Sequence, residues 1–316
     1  MADDAPVSPT LSLQLISFSG EDEPDWTRLI EQATGADEAG VDRLIVSDHI
    51  AFGNAMEAYG DPKLGGTAGG RQPTGPDGHW LEPLTLLSVI AGRTSHVRLQ
   101  TGILLAALRR PAVLAKTTAT LDVLSNGRLD LGVGVGWQRE EYEVAGLDFD
   151  SRGRQLDHTL EVCHELWTEQ AADYDAEELT FSQIHAMPKP AQTGGVPIWV
   201  SGRINAPVLR RLARFGAGWI PWGDDALDPL PGIERIRDAF ADVGRTDPIA
   251  VQGSLPMVRR DDGEVDLGAT MAGVPTLAEA GITDFKAFVR LGGSHDQTVE
   301  ELTPLVHAFR SAVGRT

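Results

Sequence analysis

The sequence predicts an α/β chain closed into an eight-stranded (β/α)₈ barrel, with insertions after the second and fourth strands. Three observations point there. Short apolar runs rich in branched residues recur along the chain, each followed by a segment with helical spacing; this is the pattern of parallel strands buried on both faces. The length of 316 residues is large for an ordinary domain but normal for one barrel with insertions. No internal repeat and no linker-like stretch divides the chain, so residues 11–316 are expected to form a single domain. Residues 1–10, MADDAPVSPT, are acidic and proline-bearing and are expected to be a disordered tail.

The elements follow in order. Residues 11–17 form the first strand, and residues 26–39 a helix that Gly40 terminates. RLIVSD, residues 43–48, is the second strand. Residues 50–81 are crowded with glycine and proline and read as a mobile loop at the carboxyl end of that strand, with Tyr59 and Trp80 placed to close over a substrate. A helix over 82–93 leads to the third strand at 97–104. Pro111 suits a first helical turn, and Val113, Leu114, Thr117, Leu121 and Leu124 give the next helix an apolar stripe, ended by Asn126-Gly127. The fourth strand, residues 129–136, reads LDLGVGVG. Ser151 is a candidate cap for a helix with the stripe Leu156, Leu160, Cys163 and Trp167. The second insertion, residues 170–195, holds the extended pieces 179–181 and 184–187. Strands at 197–201, 218–222, 249–256 and 285–291 complete the eight. Helices at 206–215, 231–242 and 298–313 lie between and after them. Thr276-x-x-Glu279 and Thr298-x-x-Glu301 have the form of capping boxes that open helices.

Composition narrows the function classes. A net charge of −19 disfavours nucleic acid and anionic membranes as partners. No apolar run approaches the ~20 residues of a membrane span, and the amino terminus lacks the basic start and apolar core of a signal peptide, so a cytoplasmic protein is expected. The single cysteine, Cys163, excludes an intrachain disulfide and lies on an apolar stripe, as a structural thiol would. The eight histidines are scattered without zinc spacing, so no metal site is expected. G-x-S-x-G is absent, which argues against a serine hydrolase. A Schiff-base enzyme needs a lysine at a strand end; only Lys286 qualifies, and it is expected at the wrong end of the eighth strand.

Three motifs carry chemistry. Gly132, Gly134 and Gly136 alternate through the end of the fourth strand and are expected to clear one face for a flat ring system. Asp48 and His49 end the second strand on the catalytic rim, with Asp48 placed to accept a hydrogen bond from the imidazole. Ser201, Gly202 and Arg203 precede a helix, and a hydroxyl, free helix amides and an arginine make an anion site. Glu140 or Glu141, after the glycine strand, is expected to cap the next helix.

The stretch LRRPAVLAKTTATLDVLSNGRLDLGVGVGWQREEYEVAGLDF resembles the core of the bacterial luciferase-like flavin and deazaflavin oxidoreductases. The resemblance is specific over residues 45–167 and weaker over 197–222. It implies a luciferase-like barrel that passes a hydride between coenzyme F420 and a small organic substrate. FMN is the alternative cofactor, with a reduced-FMN-dependent monooxygenase or a non-catalytic flavin-binding protein as alternative functions. By the same resemblance Asp48 and His49 sit beside the cofactor ring and His49 transfers the proton. Gly102, Ile103 and Leu104 form a bulge with a non-proline cis peptide against the ring. Gly134, Gly136 and Trp137 also line the cofactor, and Ser201, Gly202 and Arg203 hold its phosphate. Trp137 stands where some deazaflavin dehydrogenases carry an acidic glutamate, which argues against their sugar-phosphate substrates. Arg109, Arg110 or Arg203 is expected to supply a basic strip for the deazaflavin's acidic tail, and the assembly is expected to be a homodimer.

Overall fold

The computed structural model describes residues 8–315. In chain order the strands and helices are β1 (Thr10–Gln14), β2 (Phe18–Ser19), α1 (Thr27–Ala39), β3 (Arg43–Val46), β4 (His79–Trp80), α2 (Pro83–Ala91), β5 (Arg98–Thr101), α3 (Pro111–Leu124), β6 (Leu129–Val133), α4 (Arg139–Val144), α5 (Arg152–Thr168), β7 (Ala172–Asp175), β8 (Thr180–Ile184), β9 (Ile198–Gly202), α6 (Ala206–Phe215), β10 (Gly216–Pro221), α7 (Asp224–Leu227), α8 (Leu230–Asp242), β11 (Ala250–Ser254), α9 (Leu267–Met271), α10 (Val274–Ala280), β12 (Asp284–Ala287) and α11 (His295–Ala312). Eight parallel strands close in the order β1-β12-β11-β10-β9-β6-β5-β3. This is the expected barrel. Residues 1–7 of the expected tail lie outside the described residues; Thr10 already pairs with Asp284 and belongs to the barrel.

Alternation along each strand divides the interior in two. Leu11, Leu13, Leu44, Val46, Leu99, Leu129, Leu131 and Val133 are buried toward the helices. The inward positions at the amino-terminal end are polar. Arg43 reaches Asp130 (Nε to Oδ2, 3.1 Å) and Asp284, while Gln252 donates to Asp284 (2.8 Å) and lies 3.3 Å from Gln100 across the barrel. Burial opposes the Arg43 charge, but Asp284 and Asp130 outweigh it and raise the guanidinium pKa. This ion cluster plugs the barrel floor and leaves the carboxyl end open for a site.

Several local expectations shift. The buried face of α3 is Leu114, Ala115, Thr118, Ala119, Leu121 and Asp122, whereas Val113 and Leu124 are exposed; the stripe is turned because the sheet-facing row includes small residues. Ser151 makes no capping bond, and Asp148 instead accepts from Ser151 N at the preceding turn. Neither capping box forms. Ser294 caps α11 through Gln297 N, placing Thr298 one turn inside, and α10 begins two residues before Thr276. The stripe of α5 is buried as expected. The Cys163 thiol donates to Pro111 O, and burial pushes its pKa up, as suits a structural thiol. The second insertion is an antiparallel hairpin of β7 and β8. Among the described residues no helix is long and apolar enough to cross a membrane.

Candidate active site

The carboxyl ends of the barrel strands surround a cavity of about 420 Å³, within the range of small-molecule sites. It gathers Asp48, His49, Gly102, Ile103, Gly134, Gly136, Trp137, Ser201 and Gly202, all singled out from the sequence. Residues 50–81 form its roof through Tyr59, Gly65, Gln72, Pro73 and Trp80. That segment is built, not structureless. It contains a short 3₁₀ turn, Met56–Gly60, and returns through β4, which pairs with β2. Trp222 Nε1 donates to Gly65 O (2.9 Å) and ties the roof to the end of β10. Its companion Trp219 is fully buried core.

His49 lies at the centre of the polar constellation. Its Nδ1 is 3.1 Å from Glu141 Oε2, and Glu141 Oε1 accepts from Ile50 N at 2.9 Å. Its Nε2 is 2.9 Å from Gln72 Nε2. An amide nitrogen can only donate, so in this arrangement Nε2 accepts and Nδ1 carries the proton toward the carboxylate. The ring is edge-on to Trp80 and Trp137. The expected Asp48–imidazole bond does not form. Asp48 accepts from Leu105 N (2.8 Å) and from Arg109 Nη1 (2.6 Å), because its side chain turns toward the start of the β5–α3 connection. Burial opposes the Arg109 charge, yet Asp48 and Glu82 beside it raise its pKa. Arg109 is therefore committed to two carboxylates, while Arg110 of the expected basic strip is exposed.

Glu141 is the residue that sequence reasoning misplaced. It is fully buried and orients His49; it does not cap α4, whose first turn has no side-chain cap. The W-Q-R-E-E run held the signal, since a glutamate in the first turn of a helix beside the rim can reach the residues that leave β3. Tyr142 next to it donates to Val135 O (2.7 Å) and fixes the loop between β6 and α4.

Gly132 and Gly134 face the barrel interior as Asp130 does, Gly136 leaves that face at the turn, and the three divide their tasks. A Cβ on Gly132 would strike the Thr101 carbonyl, so this glycine lets β5 and β6 approach below the cavity. A Cβ on Gly134 would strike Ile103 and come 3.7 Å from Ser201 Cβ, inside the cavity. Gly136 has φ +69°, the left-handed conformation that turns the chain out of the strand. The Gly102–Ile103 peptide is cis. Leu104 does not line the cavity; it is fully buried, bridged to Val133 in the sheet.

Ser201 and Gly202 reach the cavity at the end of β9, but Arg203 turns away and packs against Gly223. The amides at the start of α6 are partly spent: Asn205 Oδ1 accepts from Val208 N (3.0 Å), and Asp225 Oδ2 from Ile204 N (2.6 Å). The expected helix anion site is thus narrowed to Ser201 and its neighbours. Lys286 also corrects an expectation. It stands one residue from the carboxyl end of β12 and lines the cavity, because the strand runs only over Asp284–Ala287. Among the described residues no cluster of His, Cys, Asp and Glu could hold a metal ion.

The cavity walls form two arcs. Asp48 and His49 just beyond β3, with the ends of β5, β6 and β9, contiguous in the barrel, present backbone, glycine and small side chains: Gly102, Gly134, Gly136, Ser201. The adjoining ends of β12 and β1, with β2, present Lys286, Phe288, Gln14, Ile16 and Phe18. The first arc fits the flat face of a ring system. Trp137 Nε1 is buried there without a partner among the described residues.

Comparison with known proteins agrees with this architecture. Residues 10–272 match the model of the luciferase-like monooxygenase family. An uncharacterized protein of Mycobacterium tuberculosis is 30% identical over 262 residues, covering 82% of this chain and 84% of that protein. Two solved structures show the same fold. An F420-dependent secondary alcohol dehydrogenase in complex with an F420-acetone adduct has a TM-score of 0.71 at 17% identity, covering 96% of this chain and 99% of that one. The oxygenating constituent of 3,6-diketocamphane monooxygenase from Pseudomonas putida, in complex with FMN, has a TM-score of 0.70 at 15% identity, covering 94% and 96%. The chain belongs to the luciferase-like monooxygenase family.

Proposed function

We propose that this member of the luciferase-like monooxygenase family is an oxidoreductase that passes a hydride between coenzyme F420 and a small, largely apolar organic substrate. The observation that carries the reading is the His49–Glu141 pair on the cavity wall, beside a glycine-cleared face sized for a ring. Asp48, Gly102, Ile103, Gly134, Gly136, Trp137, Ser201 and Gly202 would hold the cofactor, and Arg203 would have to turn in from Gly223 to reach its phosphate. When bound, the deazaflavin supplies or accepts the hydride.

The chain's own residues supply the rest. Glu141 accepts from Nδ1–H of His49 and fixes the tautomer. The lone pair at Nε2 is then available to receive a proton from a substrate hydroxyl, or, once protonated, Nε2 returns one to a substrate oxygen or carbon. The Gln72 nitrogen donates to that lone pair at 2.9 Å in the resting arrangement, so Gln72 would have to swing aside for a substrate to reach Nε2. The roof residues Tyr59, Trp80 and Trp222 exclude water from the same space.

A second reading, a reduced-FMN-dependent monooxygenase, is favoured by one observation. Arg109 is neutralised by Asp48 and Glu82, leaving fewer cations than a polyanionic tail would use. Titrating the apoprotein with FMN and with F420 separates the two. F420 is expected to bind more tightly; FMN binding at least tenfold tighter, ~1.4 kcal/mol, reverses the assignment. The protein is further expected to act in the cytoplasm as a homodimer, which light scattering of the purified protein tests.

A further inference from the structure

Lys286 is the one cavity-lining residue whose charge the mechanism above does not use. It alternates with Asp284 along β12 and so faces the barrel interior, on the arc opposite the glycine-cleared wall. Its ammonium makes no hydrogen bond and no ion pair among the described residues. The nearest carboxylate, Asp284, is already taken up by Thr10, Ser12, Arg43 and Gln252. Only the ring of Phe288, 5.1 Å from Nζ, attends it. Burial lowers the Lys286 pKa, with Asp284 offsetting only part of the effect. Lys286 is half-buried at the cavity wall, so its ammonium is only partly hydrated and has no carboxylate of its own, a state that an anionic ligand would complete.

We propose that Lys286 determines substrate class: the β12–β1 half of the cavity takes an apolar molecule bearing one carboxylate, whose oxygens pair with Nζ. The inference rests on the redox reading for its division of the cavity into ring and substrate halves. The apolar body would lie on Ile16, Phe18 and Phe288, of which Ile16 and Phe288 are more than half exposed at the mouth. A single ammonium matches a single negative charge. A phosphate dianion would call for further donors, and among the described lining residues no other unpaired lysine or arginine is present. In a chain of net charge −19 an anionic substrate needs such a local cation to enter at all.

The test is calorimetric titration of the protein, saturated with whichever cofactor it binds, with 6-phenylhexanoate and with the isosteric 6-phenylhexanamide. The acid should bind the wild type about 10- to 100-fold more tightly than the amide, the worth of a hydrogen bond between charged groups. Lys286→Met should erase that preference while melting no lower than the wild type, and Lys286→Arg should restore most of it. Equal affinity for acid and amide in the wild type overturns the proposal. So does a preference that survives in Lys286→Met, or a tenfold loss of cofactor affinity in that variant, which would give the ammonium to the cofactor. A protein that prefers the acid but passes no hydride refutes the redox reading alone. One that reduces neutral ketones without preferring the acid refutes the role of Lys286 alone.

Discussion

Glu141→Gln isolates what the buried carboxylate does for His49. The substitution keeps side-chain size and keeps an oxygen that can accept from Ile50 N, which now lies 2.9 Å from Glu141 Oε1. It places an amide nitrogen opposite His49 Nδ1, where the carboxylate oxygen now stands at 3.1 Å. Two donors cannot face each other, so the imidazole must shift its proton to Nε2 or rotate. The loss is one hydrogen bond to a buried charged group, about 1.5–3 kcal/mol. If that bond holds the productive tautomer during proton transfer, turnover falls by about 10- to 150-fold at ~1.4 kcal/mol per decade. The assay is single-turnover oxidation of the reduced cofactor, paired with nitrogen-15 NMR of the imidazole, which reads the tautomer directly. The wild type should show Nδ1–H and the variant Nε2–H. A variant that turns over within threefold of the wild type while its tautomer has switched would refute the positioning role. One whose tautomer is unchanged would refute the hydrogen-bond assignment from which the argument starts.

Further outcomes follow from the same geometry. His49→Asn should lower turnover by ~10²–10⁴-fold with a far smaller change in cofactor affinity; survival within threefold would demote His49 to packing. Gly134→Val should abolish cofactor binding in a barrel that still melts cooperatively, since its side chain would enter the space beside Ile103 and Ser201; normal binding would show that the glycine serves only the turn. Asp284→Ala leaves Arg43 and Gln252 facing a void in the barrel floor and should cost about 3–5 kcal/mol in urea unfolding, the penalty for breaking a buried ion pair. Lys286 gives a pH signature. Its folded pKa is lowered, so between that value and the ordinary ~10.4 the unfolded chain binds the extra proton and stability rises with pH. Below both values the penalty is fully present. Lys286→Met should therefore exceed the wild type in stability near neutrality, with the gap closing toward pH ~10; a constant gap across that range would contradict the lowered pKa.

Much of the barrel was legible because each strand had to be apolar toward the helices while each helix had to be apolar on one face. Those periods survive in a single sequence: all eight barrel strands fall where branched apolar runs were found. Helix starts were less legible. Thr298 and Glu301 have capping-box spacing, but Ser294 four residues earlier offers the same oxygen to α11, and the side chain of Thr298 donates back to Ser294 O. The strand-facing stripe of α3 was misplaced by one row because alanine and threonine suffice where a helix crosses close to a sheet. Lys286 was assigned the wrong end of its strand because the apolar run continues through Phe288, Val289 and Leu291 after the ladder has ended at Ala287.

The site itself was legible only where one motif carries both backbone shape and chemistry, as at Gly134 or the Asp48-His49 pair. What escaped were the pairings. His49 and Glu141 are 92 positions apart, and His49 and Gln72 are 23 apart across a glycine-rich roof. Neither carboxylate near the histidine announces its partner. Asp48 is adjacent in sequence, yet successive residues leaving a strand point to different sides, and Asp48 is drawn to Arg109 and Leu105 N. Glu141 sits in the first turn of α4, where a helix start ordinarily needs an acceptor, but it spends both oxygens on His49 and Ile50 N behind the cavity wall, and α4 is left without a side-chain cap. On the proposed reading, a helix start that stays uncapped while its glutamate holds His49 exchanges local stability for a fixed proton.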